Sequence, residues 1–319
     1  MKTFRILMVS FLIIVFSVAA SAAQLLIPGG QLVGLELQDN TVTVVAFEEN
    51  TSAAKAAGLQ EGDRILKIDG VSVGSVSDIR NALDRSDGQV DICVLRGKKT
   101  KAFSVCPDPT QEGPKLGVYL KQGTTGVGTV TYYDPEDGSF AALGHGVNTA
   151  NGNLLQMTQG AVYSAKVMRV KKGAVGTPGQ LVGSLTDPEA TGKLSKNTNQ
   201  GVFGDIAVVS TAAPLPVAQP EEIRTGSATI RSTVEGDSLK EYSVEILKIY
   251  PTGSRQTRNM LLKVTDPTLL STTGGIVQGM SGSPIIQNGK IIGAVTHVLV
   301  NDPTMGYGIF IENMLDAAV

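Results

Sequence analysis

The chain has 319 residues, more than one domain usually holds, so two domains are expected. Hydrophobic residues make up 42% and charged residues 18%, and the 37 glycines exceed an average use of roughly 7%. That balance favours short strands and tight turns over helical bundles. The formal charge is −2 and no basic stripe is present to neutralise phosphates, which excludes nucleic acid as an expected partner.

The chain opens with a targeting segment. Lys2 and Arg5 precede an apolar run from Ile6 to Val18, and Ala20-Ser21-Ala22 offers a small-x-small cleavage site. The run is shorter than the ~20 residues that span a bilayer. Residues 1–23 therefore read as a cleaved signal peptide, with an uncleaved membrane anchor as the alternative, and the remainder is expected to be exported. Removal of the two cations would take the charge to −4.

Residues 24–108 form the first expected domain. Gly34–Leu37 and Thr41–Val45 have strand character. A short helix closed by Gly58 follows, then a turn at Glu61-Gly62-Asp63, a strand, and a turn at Asp69-Gly70. Ser75 to Arg85 predicts a helix with Ser77 as N-cap and Val76, Ile79 and Leu83 on one face. A hairpin around Arg96–Lys99 places Cys93 opposite Ala102, so Cys93 and Cys106 are expected as separate thiols. Two Cys and two His give no structural zinc site, and no metal or organic cofactor is expected.

The run AAGLQEGDRILKIDGVSV followed by a helix resembles the PDZ domains of bacterial proteases. Such a domain adds a peptide as an extra strand at a sheet edge and holds its carboxylate with backbone amides. In the permuted bacterial form that carboxylate loop precedes the first strand. The resemblance thus places it at Gly30, Gln31, Leu32, Val33 and Gly34. The expected ligands are peptide C-termini or the chain's own apolar end, Asp316-Ala317-Ala318-Val319.

Residues 109–115 belong to a Pro-rich connector, and 116–319 form the second expected domain. Strands are expected at 116–120, 126–133, 161–170, 204–210, 227–234, 242–250, 259–264 and 285–300. Asp134–Gly138 reads as a hairpin turn and 311–318 as a short terminal helix. So much closely spaced strand predicts an antiparallel barrel or a pair of barrels.

Gly279-Met280-Ser281-Gly282-Ser283-Pro284 has the G-x-S-G-S-P form of chymotrypsin-like peptidases. There the turn exposes the Ser oxygen, and the Gly279 and Ser281 amides form an oxyanion hole. Gly293–His297 reads as the strand that pairs with substrate, with Thr296 and His297 in the cleft. Of the two His residues, His145 lies 136 positions before Ser281, which suits the His-first order, and is the expected base. Asp205, 60 residues after His145, and Asp266, 15 before Ser281, both remain as orienting carboxylates; spacing favours Asp205.

The leader, the PDZ run, ALGHGV, VTDPTLL and GGIVQGMSGSPIIQNGKIIGAVTHV together resemble the stage IV sporulation protein B peptidases. The resemblance implies Ser281, His145 and Asp266 as the catalytic set. It also implies a mostly β chain, an α+β PDZ domain followed by a chymotrypsin-like barrel domain. The implied activity is a secreted serine endopeptidase that cleaves itself and a membrane-bound regulator of an intramembrane protease. Its place would be the space between forespore and mother-cell membranes, where cleavage leads to activation of a late sigma factor. The alternative is a PDZ-based binding protein with an inert peptidase fold. An α/β-hydrolase esterase fails on residue order.

Overall fold

The computed structural model describes residues 24–49, 52–149, 152–207, 212–250 and 257–319, so the expected leader lies outside the described residues. Among those described, no helix is long and apolar enough to cross a membrane. The chain is mostly β. It begins with β1 (Leu25–Pro28) and β2 (Leu32–Phe47), then α1 (Ala53–Ala56), β3 (Arg64–Ile68), β4 (Val71–Ser72) and α2 (Val76–Asp84). The hairpin of β5 (Val90–Arg96) and β6 (Lys99–Val105) follows. A smaller one of β7 (Asp108–Thr110) and β8 (Gly113–Lys115) then leads into the long β9 (Val118–Tyr133). Next come β10 (Ser139–Ala142), β11 (Gln159–Lys171), β12 (Gln180–Leu185), β13 (Gly192–Thr198), β14 (Gly201–Ile206) and β15 (Leu215–Pro216). The final part holds β16 (Gly226–Glu235), β17 (Ser238–Ile249), β18 (Met260–Val264) and α3 (Pro267–Thr273). It ends with β19 (Pro284–Gln287), β20 (Lys290–Leu299), β21 (Asp302–Phe310) and α4 (Ile311–Ala318).

In the small unit, α1 and α2 cover a sheet whose inward residues alternate as a half-buried strand requires. Val42, Val44, Ile65, Ile68, Ile92 and Val94 meet Leu59, Ile79 and Leu83 in one core. Ser75, not Ser77, caps α2: its hydroxyl accepts from the Asp78 amide, so the helix starts two residues earlier, with Ile79 and Leu83 buried. Cys93 does pair with Ala102, and both thiols are free. Asp63 is fully buried and is held by the Gln60 amide and a two-pronged Arg96 contact, which ties the 61–63 turn to the hairpin.

Two barrels make up the rest. β16-β17-β18-β21-β20-β19 closes on itself around Ile230, Val244, Ile246, Met260, Leu262 and Val295. β9-β10-β14-β13-β11-β2 also closes, because β2 pairs with both β11 and β9. Val33, Leu35, Leu37, Val130, Phe140, Val162 and Val202 fill that ring. The first ring therefore takes Leu32–Leu37 from before the small unit and Thr124–Thr129 from after it.

β2 and β9 run together out of the barrel and into the small unit, where Val42–Phe47 pairs with Val118–Gln122. The joint is Gly123, at φ +72°, where a Cβ would lie 1.9 Å from the Leu37 carbonyl oxygen. Only glycine lets the two strands pass that closely. The connector expected at 109–115 is largely occupied by the β7–β8 hairpin.

Candidate active site

Ser281 sits in a turn between α3 and β19, in the second barrel. Met280, fully buried, pins the turn into the barrel core, and its amide and carbonyl close short loops with Val277 and Ser283. Gly279 (φ +99°) and Gly282 (φ +97°) take backbone conformations that a side chain disfavours. Among the described residues neither the Gly279 nor the Ser281 amide donates to a protein acceptor, while the Gly282 amide is tied to the Val295 carbonyl at 2.7 Å. Two unengaged amides flanking a serine are the donors an oxyanion requires.

His145 comes from the first barrel. β10 ends at Ala142, and two successive left-handed residues, Leu143 (φ +72°) and Gly144 (φ +67°), turn the chain toward the second barrel. A leucine with positive φ is strained, and such strain gathers where geometry matters more than comfort. Thr129 of β9 joins the barrels: its amide donates to the Ser281 carbonyl at 3.0 Å and its hydroxyl to the Gly279 carbonyl at 2.7 Å. Its own carbonyl accepts from the Leu143 amide at 3.2 Å. A Cβ on Gly144 would stand 3.0 Å from the Thr296 side chain, so the histidine loop lies against β20.

The structure thus brings together Ser281, His145, Thr296, His297 and Gly279. The His145 Nδ1 lies 3.0 Å from the Gly146 carbonyl, which only accepts, so Nδ1 carries the proton and Nε2 keeps its lone pair. Burial lowers the His145 pKa, against the opposing pull of the Gly146 carbonyl. The Ser281 hydroxyl donates to the Thr296 carbonyl at 2.6 Å, not to His145. Thr296 is the extra residue of a bulge in the β20–β21 ladder, between Val295 and His297. Neither the Thr129 link nor the two backbone carbonyls carry a signal in the sequence.

Neither candidate carboxylate is brought to His145. Asp266 caps α3: it accepts from the Leu269 amide at 2.9 Å and lies 3.4 Å from the Ser243 amide. Asp-Pro-Thr-Leu-Leu is an N-cap followed by proline at the first helical position, a pattern that local backbone needs explain in full. Asp205 is exposed on β14, opposite Ser139 and Lys193. Sequence separation placed it well, but it lies one residue before the end of a strand whose Gly201–Gly204 stretch is the buried part. Asp266→Ala should lower stability by about 1 kcal/mol through loss of the cap. Asp266→Asn, an equally good cap, should keep both stability and peptide hydrolysis. A carboxylate behind the base would instead cost about 10⁴ in kcat on that change, so turnover by the Asn variant decides its role.

A second concave site lies on the small unit. A groove of about 460 Å³ runs between α2 and β9, lined by Val76, Ile79, Leu83, Leu116, Val118 and Leu120. Gly30–Gly34 is not part of it. The Gly29 and Gly30 amides donate to Thr131 and Val130, and the Gly30 carbonyl takes the Thr233 amide, so this segment is committed to the barrels. The groove's edge strand is the start of β9, preceded by Lys115-Leu116-Gly117, because strand pairing and not chain order decides which strand faces α2. The C-terminus is not in the groove either: Lys196 Nζ donates to the Ala318 and Val319 carbonyl oxygens.

Two barrels meeting at a serine turn, with a histidine from the other barrel and two amides free among the described residues, form the kind of site that serine peptidases use. The family described as SpoIVB peptidase S55 matches residues 112–315, and the chain belongs to that family. A PDZ domain matches residues 43–96. Among curated proteins, the "Putative zinc metalloprotease R01501" of Rhizobium meliloti is 27% identical over 218 residues, covering 66% of this chain and 53% of that protein. The "Putative zinc metalloprotease Atu1380" of Agrobacterium fabrum is 24% identical over 214 residues, with the same two coverages. The chain spans about half the length of the curated relatives it matches. Among solved structures, the HtrA-type protease AlgW with a decapeptide shares 15% identity over 66% of this chain and 57% of its own, at a TM-score of 0.36. The PDZ domain of the SdrC-like protein of Listeria monocytogenes shares 22% identity over 25% of this chain and 87% of its own, at a TM-score of 0.23.

Proposed function

We propose that the chain is a serine endopeptidase in which Ser281 is the nucleophile and His145 the general base. The observation that carries this reading is the Thr129 bridge, which locks the His145 loop of one barrel onto the Ser281 turn of the other. An extended substrate lies along Thr296–His297, and its backbone N–H takes the Thr296 carbonyl now held by the Ser281 hydroxyl. The released hydroxyl turns to His145 Nε2, which accepts its proton as the oxygen attacks the scissile carbonyl. The Gly279 and Ser281 amides receive the oxyanion, His145 protonates the leaving amine, and water hydrolyses the acyl-enzyme. A fluorophosphonate tests this directly. Labelling confined to Ser281 and lost in His145→Ala supports it; labelling elsewhere, or none in the presence of a cleaved peptide, overturns it.

The base must be neutral to act. Its folded pKa is lowered from 6.5, so activity should hold as pH falls through 6.5 and decline only as the lowered value is crossed. An acid limb centred at or above 6.5 in a pH profile of kcat/KM would contradict a buried base.

Membership of the sporulation peptidase family, with the exported character read from the leader, supports a more particular role. The substrate is a membrane-bound regulator of an intramembrane protease, in the space between forespore and mother-cell membranes. Cleavage there leads to activation of a late sigma factor, and the chain also cuts itself. The PDZ groove recruits peptide C-termini. Incubating the exported chain with candidate regulators and mapping the cuts tests this role. The alternative, a PDZ binding protein with an inert barrel pair, draws on the Ser281–Thr296 bond; absence of fluorophosphonate labelling with groove peptide present would favour it.

A further inference from the structure

Among the described residues, no side chain hydrogen-bonds to the His145 ring. Its Nδ1 meets only the Gly146 carbonyl, and both candidate carboxylates are engaged elsewhere or exposed. What lies against its ring is a second imidazole. The His145 and His297 ring centroids are 5.0 Å apart with the planes tilted by 39°. His297 reaches that place because of the Thr296 bulge. Regular alternation along β20 would put it on the face of Val295, which is fully buried in the second-barrel core. The bulge breaks the alternation and re-aims the ring.

The His297 Nδ1 is buried with no partner among the described residues. That unpaired atom costs free energy where it stands, so the ring is kept for what it touches, the His145 ring, and not for a hydrogen bond of its own. We infer that His297 is a positioning residue for the general base: its ring packs on the His145 ring and, together with the Gly146 carbonyl, holds that ring for proton transfer. This inference rests on His145 being the base.

The local charges agree with this arrangement. Burial, then the neighbouring His145, then Arg258 lower the His297 pKa to about 4, so it is neutral at neutral pH. Among the described residues, Arg258, stacked 5.2 Å from the Tyr307 ring, is the charged side chain that acts on His297, and no carboxylate acts on either ring. His297 therefore acts by contact and by excluding water, not by charge.

The test uses the full chain with a fluorophosphonate probe and fluorogenic casein, across a pH series. His297→Ala should slow labelling about 10²-fold, the scale of a small misplacement of a reacting group. It should also move the acid limb to higher pH, because water reaching His145 relieves its desolvation. His297→Phe, which restores a planar ring, should recover most of the rate and the low acid limb, whereas His297→Gln should not. Melting curves of the Phe and Gln variants separate a folding defect from a chemical one, since both fill the site. His297→Ala labelling within twofold of the parent with an unmoved acid limb would overturn the inference and leave the Ser281–His145 reading intact. Full loss in every His297 variant, with His145→Ala still labelled, would overturn both and make His297 the base.

Discussion

Ser281→Ala will leave a folded chain whose hydrolysis of peptide substrate has fallen by about a million-fold, the scale seen when a serine peptidase loses its nucleophile. The fold should survive because the hydroxyl makes one protein hydrogen bond, to the Thr296 carbonyl, and the turn is held by other atoms: buried Met280, the Gly282–Val295 bond and both Thr129 bonds. Losing that one bond costs about 1 kcal/mol. Cleavage of the chain by itself should stop along with cleavage of added substrate. Activity near the parent's in this variant, at unchanged purity, would remove Ser281 from the mechanism.

Gly282→Ala should be as damaging to activity by a different route. A Cβ there would sit 1.9 Å from the Thr129 carbonyl oxygen and 2.5 Å from the Leu143 amide, and both are backbone atoms that cannot rotate aside. The residue also has φ +97°, where a side chain costs about 1–2 kcal/mol before any clash is counted. The clash falls on the link between the barrels, so relief requires the His145 loop to back away from the Ser281 turn. We expect loss of fluorophosphonate labelling together with a lower melting temperature, at about 2–4 °C per kcal/mol for a unit of this size. A variant with parental labelling and melting would show that the barrels are not in contact through Thr129. The contrast with Ser281→Ala is useful: one variant removes the reacting atom and keeps the frame, while the other keeps every reacting atom and breaks the frame.

Much of the architecture was legible in residue patterns because its causes are local. The turn at Arg96–Lys99 determines the register that sets Cys93 opposite Ala102. The hairpin turn at Asp134–Gly138 is closed by its own bonds: the Gly138 amide to Asp134, and the Asp134 amide to Ser139. The terminal helix spans Ile311–Ala318 as its periodicity predicts, with Ile311 and Met314 inward. Ser281 with its flanking glycines was equally plain, since a turn with two positive-φ positions admits almost nothing else. The helix at Pro267–Thr273 has only seven residues and too short an apolar pattern to stand out, and its one local mark is the Asp266-Pro267 cap.

Residue patterns alone carry the class of fold, the serine turn, and a histidine that precedes the serine in the chain. Tertiary structure decided the rest: which strand borders α2, where the barrel begins, and what stands behind the base. These depend on pairings between residues far apart in the chain, such as Leu32 with Thr129, Val44 with Leu120 and Val33 with Ser164, and no local propensity encodes them. They also depend on a single bulge at Thr296, which needs a partner strand to exist at all. The carboxylates had fitting spacing, but spacing along the chain is not distance in space. In the folded protein it is the Gly146 carbonyl and the His297 ring that adjoin His145.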